Sequence, residues 1–121
     1  DGALDWTEEY ELSGEGNLAW TRDSLGGSPW DPASAKLYRT GSPITYAGAI
    51  TTPTLILSGT DDTTVPITES FALYHALASR HVPVKFIGIP GAHHSPQDPV
   101  HRELYYKAIN DWVARYLGTH A

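Results

Sequence analysis

The sequence has 121 residues, 40% of them hydrophobic, which is enough for one domain core and too few for two. Eight Lys and Arg stand against fourteen Asp and Glu, a net charge of −6 that argues against nucleic acid and against an anionic membrane surface. No apolar run approaches the roughly 18 residues of a membrane span, and with no Cys the chain has neither disulfides nor thiolate chemistry.

The first residues, Asp1-Gly2-Ala3-Leu4-Asp5-Trp6, carry no basic n-region and no apolar h-region of a signal peptide. Together with the lack of Cys this is compatible with the cytosol, the expected compartment. Residues 1–34 are polar and punctuated by Gly14, Gly16, Gly26, Gly27, Pro29 and Pro32, with short helical pieces expected at about 6–12 and 17–25. Residues 35–50 read as a loop with a helical turn, broken by Gly41, Pro43 and Gly48.

The pattern sharpens after residue 50. The run Thr54-Leu55-Ile56-Leu57-Ser58, closed by Gly59, predicts a parallel strand buried on both faces. Pro66 opens a helix whose apolar residues Ile67, Phe71, Tyr74 and Leu77 recur at helical spacing. Residues 83–89 read as a second strand, closed by Pro90-Gly91, and a last helix is expected from about Pro99 to Leu117 with a broad apolar stripe. Strand, helix, strand, helix is an α/β pattern with parallel strands. Two strands alone make no stable parallel sheet, so the chain reads as one side of a larger one.

In open α/β sheets, chemistry lies at the carboxyl ends of the strands. Two loops leave such ends here. Gly59-Thr60-Asp61-Asp62-Thr63-Thr64-Val65-Pro66 offers a carboxylate, and Pro90-Gly91-Ala92-His93-His94-Ser95-Pro96 offers an imidazole. Adjacent parallel strands bring both loops to one edge. A carboxylate orienting a His that deprotonates a serine is the logic of a catalytic triad, and Asp before His is the order of the α/β-hydrolases. Singly, each residue is ordinary turn chemistry, an Asp after a strand-ending Gly or a surface His in a Pro/Gly loop. Asp61, Asp62, His93 and His94 also make a poor zinc site, because adjacent ligands rarely meet tetrahedral geometry, and no metal is expected.

Longer stretches carry a resemblance. They are Ser42-Pro43-Ile44-Thr45-Tyr46, Thr52-Pro53-Thr54-Leu55-Ile56-Leu57, Gly59 to Pro66, Ala76-Leu77, Val82-Pro83-Val84, Pro90-Gly91-Ala92-His93-His94, Pro99-Val100-His101-Arg102 and Asp111-Trp112-Val113-Ala114-Arg115-Tyr116-Leu117. In this order, residues 29–117 resemble the C-terminal end of the catalytic domain of the prolyl oligopeptidase (S9) family, which includes acylaminoacyl and dipeptidyl peptidases. Asp5-Trp6 and Leu25-Gly26-Gly27-Ser28-Pro29-Trp30 resemble it more weakly. The resemblance implies that residues 1–121 are the C-terminal portion of one α/β-hydrolase catalytic domain. It also implies serine peptidase activity on peptides or N-acyl amino acids, without metal or organic cofactor.

The resemblance further implies that the triad Asp lies three residues before the Val of a D-x-x-V-P element, which is Asp62 before Val65, with Asp61 as the second choice. The His closes a P-x-x-x-H element, which is His94 after Pro90. The family often has Gly before that His and this chain has His93, which keeps His93 open as the alternative. The corresponding substrate contacts are Trp6, Tyr10, Trp20 and Val65, each of which reads equally well as core.

No G-x-S-x-G nucleophile elbow occurs. Ser28 comes closest, but Trp30 replaces the last Gly, no strand precedes it, and Pro29 lacks the N–H of an oxyanion hole. The serine and oxyanion hole are therefore expected on an upstream segment or a second chain. The piece would then be truncated, proteolytic or part of a nicked enzyme. A homo-oligomer is an open possibility, since a half-sheet with open edges calls for pairing. Two readings compete with the peptidase: a carboxylesterase on the same fold, and a non-catalytic half-domain acting as an interaction module.

Overall fold

The computed structural model describes residues 2–118. Its elements in chain order are α1 (Trp6–Leu12), α2 (Glu15–Leu25), α3 (Ala35–Gly41), a 3₁₀ helix (Pro43–Ala49), β1 (Thr54–Gly59), α4 (Ile67–Ala78), β2 (Val84–Ile89) and α5 (Pro99–Leu117). The segment expected to be mostly loop, residues 35–50, is thus helical over most of its length. Gly41 and Pro43 do not break it but mark the junction between α3 and the 3₁₀ helix, where Pro43 occupies the first turn and needs no N–H partner.

β1 and β2 pair in parallel, with Thr54 opposite Val84 and Gly59 opposite Ile89. The crossover between them is α4, which packs against both strands. Leu77, Ile56, Leu57, Val82 and Ile89 are buried, with Ile56 and Leu57, adjacent on β1, on opposite faces of the sheet. Phe86 of β2 meets Phe71 of α4 edge-on at 5.0 Å between ring centroids. Apolar burial of this kind stabilises by about 25 cal/mol per Å², and here it clamps the β1–α4–β2 unit into one body. The expectation that β1 is buried on both faces holds for Ile56 to Gly59, while Thr54 and Leu55 are half-buried.

The N-terminal helices are tied to this unit by polar contacts. Glu69 of α4, wholly buried, accepts from the backbone N–H groups of Leu4 and of Asp5, the latter at 2.9 Å. Ser42 accepts from Trp6 N at 2.9 Å and donates to the carbonyl of Tyr38. Asp5 caps α1 by accepting from Thr7 N, which satisfies a donor that the helix leaves unpaired. The apolar stripe expected on the last helix is present in sequence but not buried. No residue of α5 is buried, and Leu104, Ile109 and Val113 stand at 40–48% exposure. The physical reason is width: among the described residues the sheet has two strands, too narrow to cover a 19-residue helix.

Gly59 ends β1 where no side chain fits. A Cβ there would lie 2.0 Å from the carbonyl oxygen of Ala92 and 2.8 Å from that of His93. Gly59→Ala is expected to destabilise by about 3 kcal/mol or more, because backbone rather than a flexible side chain must yield. A thermal melt checks this, and an unchanged midpoint would show that the loop after β2 moves aside freely.

Candidate active site

The loops that leave β1 and β2 lie side by side because backbone bonds stitch them together. Thr60 N donates to Ile89 O at 3.1 Å, Asp61 N to Ala92 O at 3.0 Å, and Gly91 N to the Thr60 hydroxyl at 2.8 Å. Gly91, at φ +72°, takes the left-handed conformation that turns the chain back toward β1.

This stitching brings Asp62 and His94 together. His94 Nδ1 lies 3.0 Å from Asp62 Oδ2. The other carboxylate oxygen, Oδ1, accepts from the N–H groups of Thr64 at 2.8 Å and Val65 at 2.9 Å. The Asp62 side chain is 0% exposed and that of His94 is 40% exposed. An ionised carboxylate only accepts, so the nitrogen that faces it, Nδ1 of His94, is the donor. The neighbouring alternatives do not pair through their side chains. His93 Nδ1 contacts the backbone carbonyl of Asp61 at 2.9 Å, and both residues are exposed.

The Asp62 loop is braced from the N-terminal side. Gly14 N donates to Thr63 O at 3.0 Å, and the Asn17 amide donates to Thr64 O at 2.9 Å, so the start of α2 fixes the turn that holds the carboxylate. Tyr105 of α5 reaches the same region. Burial pushes its hydroxyl above the ordinary phenol range, and the Asp62 charge adds to the effect.

A cavity of about 270 Å³ opens beside His94. Trp6, Trp20 and Val65 line it together with Glu9, Asn17, Thr21 and Thr64. The two indoles sit 5.7 Å apart between centroids. Of the four expected substrate contacts, Trp6, Trp20 and Val65 thus meet at one cavity. Tyr10 lies apart, edge-on to Trp30 at 5.6 Å and to Tyr38 at 6.1 Å. Spacing along α1 does not separate them, since both Glu9 and Tyr10 lie within one turn of Trp6; Tyr10 instead packs on Tyr38 of α3.

Sequence reasoning missed Glu9. It is 2% exposed, and its Oε2 has no hydrogen-bond partner. Burial first, then the charge of Glu69, pushes its carboxyl from 4.5 up to about 7. The signal available was its i, i+3 relation to Trp6 on a short amphipathic helix.

The model of the prolyl oligopeptidase family matches residues 1–120. The mouse acylamino-acid-releasing enzyme is 32% identical over 79 residues, 64% of this chain and 11% of that protein. The chain thus spans about a tenth of the curated relatives it matches. Among solved structures, the acylaminoacyl peptidase of Pyrococcus horikoshii superposes with a TM-score of 0.86 at 24% identity, over 99% of this chain and 20% of that one. An esterase of Thermogutta terrifontis superposes with a TM-score of 0.63 at 19% identity, over 90% of this chain and 40% of that one. The fold is therefore that of an α/β-hydrolase domain, present in part.

The raised carboxyl of Glu9 has a measurable consequence. The folded chain holds its proton up to about pH 7, whereas an unfolded chain releases it near 4.5. Stability from this group is full below 4.5 and is lost as pH rises through 7. Glu9→Gln carries no such cost, so its advantage over wild type is expected to grow to a few kcal/mol between pH 4 and pH 8. Chemical denaturation at a series of pH values reads this out, and a difference that does not change with pH would refute it.

Proposed function

Since the chain belongs to the prolyl oligopeptidase family, we propose that it supplies Asp62 as the acid and His94 as the base of a serine peptidase site. The nucleophilic serine and the oxyanion hole come from outside these residues, on an upstream segment or a second chain. In this reading, residues 1–121 are the C-terminal portion of a single catalytic domain.

The observation that carries the reading is the 3.0 Å contact of His94 Nδ1 with a carboxylate whose other oxygen is held by two backbone amides. That arrangement fixes one tautomer of the imidazole. The lone pair on Nε2 takes the proton of the attacking serine hydroxyl as its oxygen bonds to the substrate carbonyl carbon. The imidazolium so formed is stabilised by Asp62, which remains ionised throughout. His94 then gives its proton to the leaving amine as the carbon–nitrogen bond breaks, leaving an ester on the serine. A water molecule, deprotonated by the same His94, opens that ester. No step calls on a metal or an organic cofactor.

The substrate class is a peptide or an N-acyl amino acid, by likeness to the acylamino-acid-releasing enzyme. Trp6, Trp20 and Val65 receive the side chain of the residue that contributes the scissile carbonyl, because they line the cavity beside His94.

The test is kinetic, in the active enzyme that joins this chain to the serine-bearing segment. Asp62→Asn is expected to lower kcat by about 10⁴-fold with little change in KM, because an amide facing Nδ1 selects the wrong tautomer. His94→Ala is expected to lower it at least as far, and His93→Ala to leave it near wild type. Equal losses at His93 and His94 would overturn the assignment.

A further inference from the structure

The cavity beside His94 is not a purely aromatic slot. One of its walls is Glu9, a carboxylic acid 2% exposed with an oxygen that no hydrogen-bond donor reaches. A buried polar atom without a partner is costly, on the order of 1–3 kcal/mol, and such an atom at a cavity wall points to a partner that arrives with a ligand.

The charges around it define that partner. Two of the groups acting on Glu9, Glu69 and Asp62, are acidic, and the basic group among them is His94. The field in the cavity therefore favours a cation. The rest of the lining suits one as well. Trp6 and Trp20 present two indoles 5.7 Å apart, and indole is the aromatic ring that attracts a cation best. Asn17 and Thr64 also line the cavity, and the Asn17 side-chain amide donates to Thr64 O. Among the lining residues, Glu9 and Thr21 each have a buried oxygen without a hydrogen-bond partner, and of the two only Glu9 can carry a negative charge.

We propose that Glu9 is a specificity-determining residue that selects a cationic side chain, lysyl or arginyl, on the acyl side of the scissile bond. The proposal rests on the peptidase reading above and sharpens its substrate class. The alkyl stem of the side chain lies against Trp6, Trp20 and Val65, and as its ammonium or guanidinium enters, Glu9 releases its proton to solvent and pairs with it as the carboxylate. Sequestered from water, such a charge-assisted bond is stronger than one between neutral groups.

The experiment compares N-acyl aminoacyl coumarin amides that share one leaving group and differ in the aminoacyl residue: Arg, Lys, Phe and Leu. It uses the active enzyme with its serine-bearing segment. Wild type is expected to show kcat/KM for Arg and Lys above that for Phe and Leu by roughly 10- to 100-fold. Glu9→Gln is expected to lower the ratio of Arg to Phe by the same factor, mainly through KM, while Glu9→Asp keeps part of the preference. Wild-type preference for Phe or Leu would overturn the proposal without any variant and leave the peptidase reading standing. So would an unchanged ratio in Glu9→Gln. No turnover of any of the four amides would sink the peptidase reading, and this proposal with it.

Discussion

The site depends on one close approach of backbone to backbone. At the end of β1 the chain passes within contact of the carbonyls of Ala92 and His93, at a point where a single added carbon would collide at 2.0 Å. Because Gly59 has no side chain, the two loops share hydrogen bonds from Thr60, Asp61 and Gly91 rather than standing apart. The pairing of Asp62 with His94 follows from this. Their side chains need to span only 3.0 Å because the two backbones were already brought together. Parallel pairing of β1 and β2 aims both loops at the same edge, and the glycine sets how near they come.

The N-terminal helices have a different part. They contribute little to the sheet, yet Gly14 and Asn17 brace the Asp62 turn, and Trp6, Glu9 and Trp20 wall the cavity next to His94. Their attachment is polar: Glu69 reaches from α4 to the backbone of Leu4 and Asp5, and Ser42 to that of Trp6. Two buried acids, Glu9 and Glu69, therefore sit on the same side of the molecule, and burial raises the carboxyl of each above its ordinary value. Each keeps one buried oxygen without a partner, Oε1 of Glu69 and Oε2 of Glu9, while Glu69 accepts two backbone N–H groups on its other oxygen and Glu9 lines the cavity.

Much of this was legible in the residues. The strand at 54–59, the helix after Pro66 and the long helix from Pro99 all announce themselves by periodicity and by proline or glycine at their ends. The loops carrying Asp62 and His94 were legible from strand order alone. Strand order alone did not separate Asp62 from Asp61 or His94 from His93; the D-x-x-V-P and P-x-x-x-H elements of the family resemblance favoured Asp62 and His94 and kept their neighbours as alternatives. In the structure the N–H groups of Thr64 and Val65 donate to Asp62 Oδ1 and hold that side chain toward His94. The helical character of 35–49 was hidden by Gly41, Pro43 and Gly48, since a helix junction and a loop share the same breakers. Tyr10 and Trp6 read alike as aromatics of one short helix, and only the packing of Tyr10 on Tyr38 separates them. Glu9 was obscured because a surface acid and a buried one look the same in an acidic helix.

The bonds that hold Asp62 differ in reach. Those from Thr64 and Val65 span two and three residues, whereas the one to His94 spans 32. Local turns close in nanoseconds to microseconds, while a parallel strand pair waits on a long crossover. The turn around Asp62 therefore needs only its own neighbours in the chain, whereas the Asp62–His94 pair needs β2 in register beside β1, so whatever loosens the strand pair parts the two side chains and leaves the turn intact.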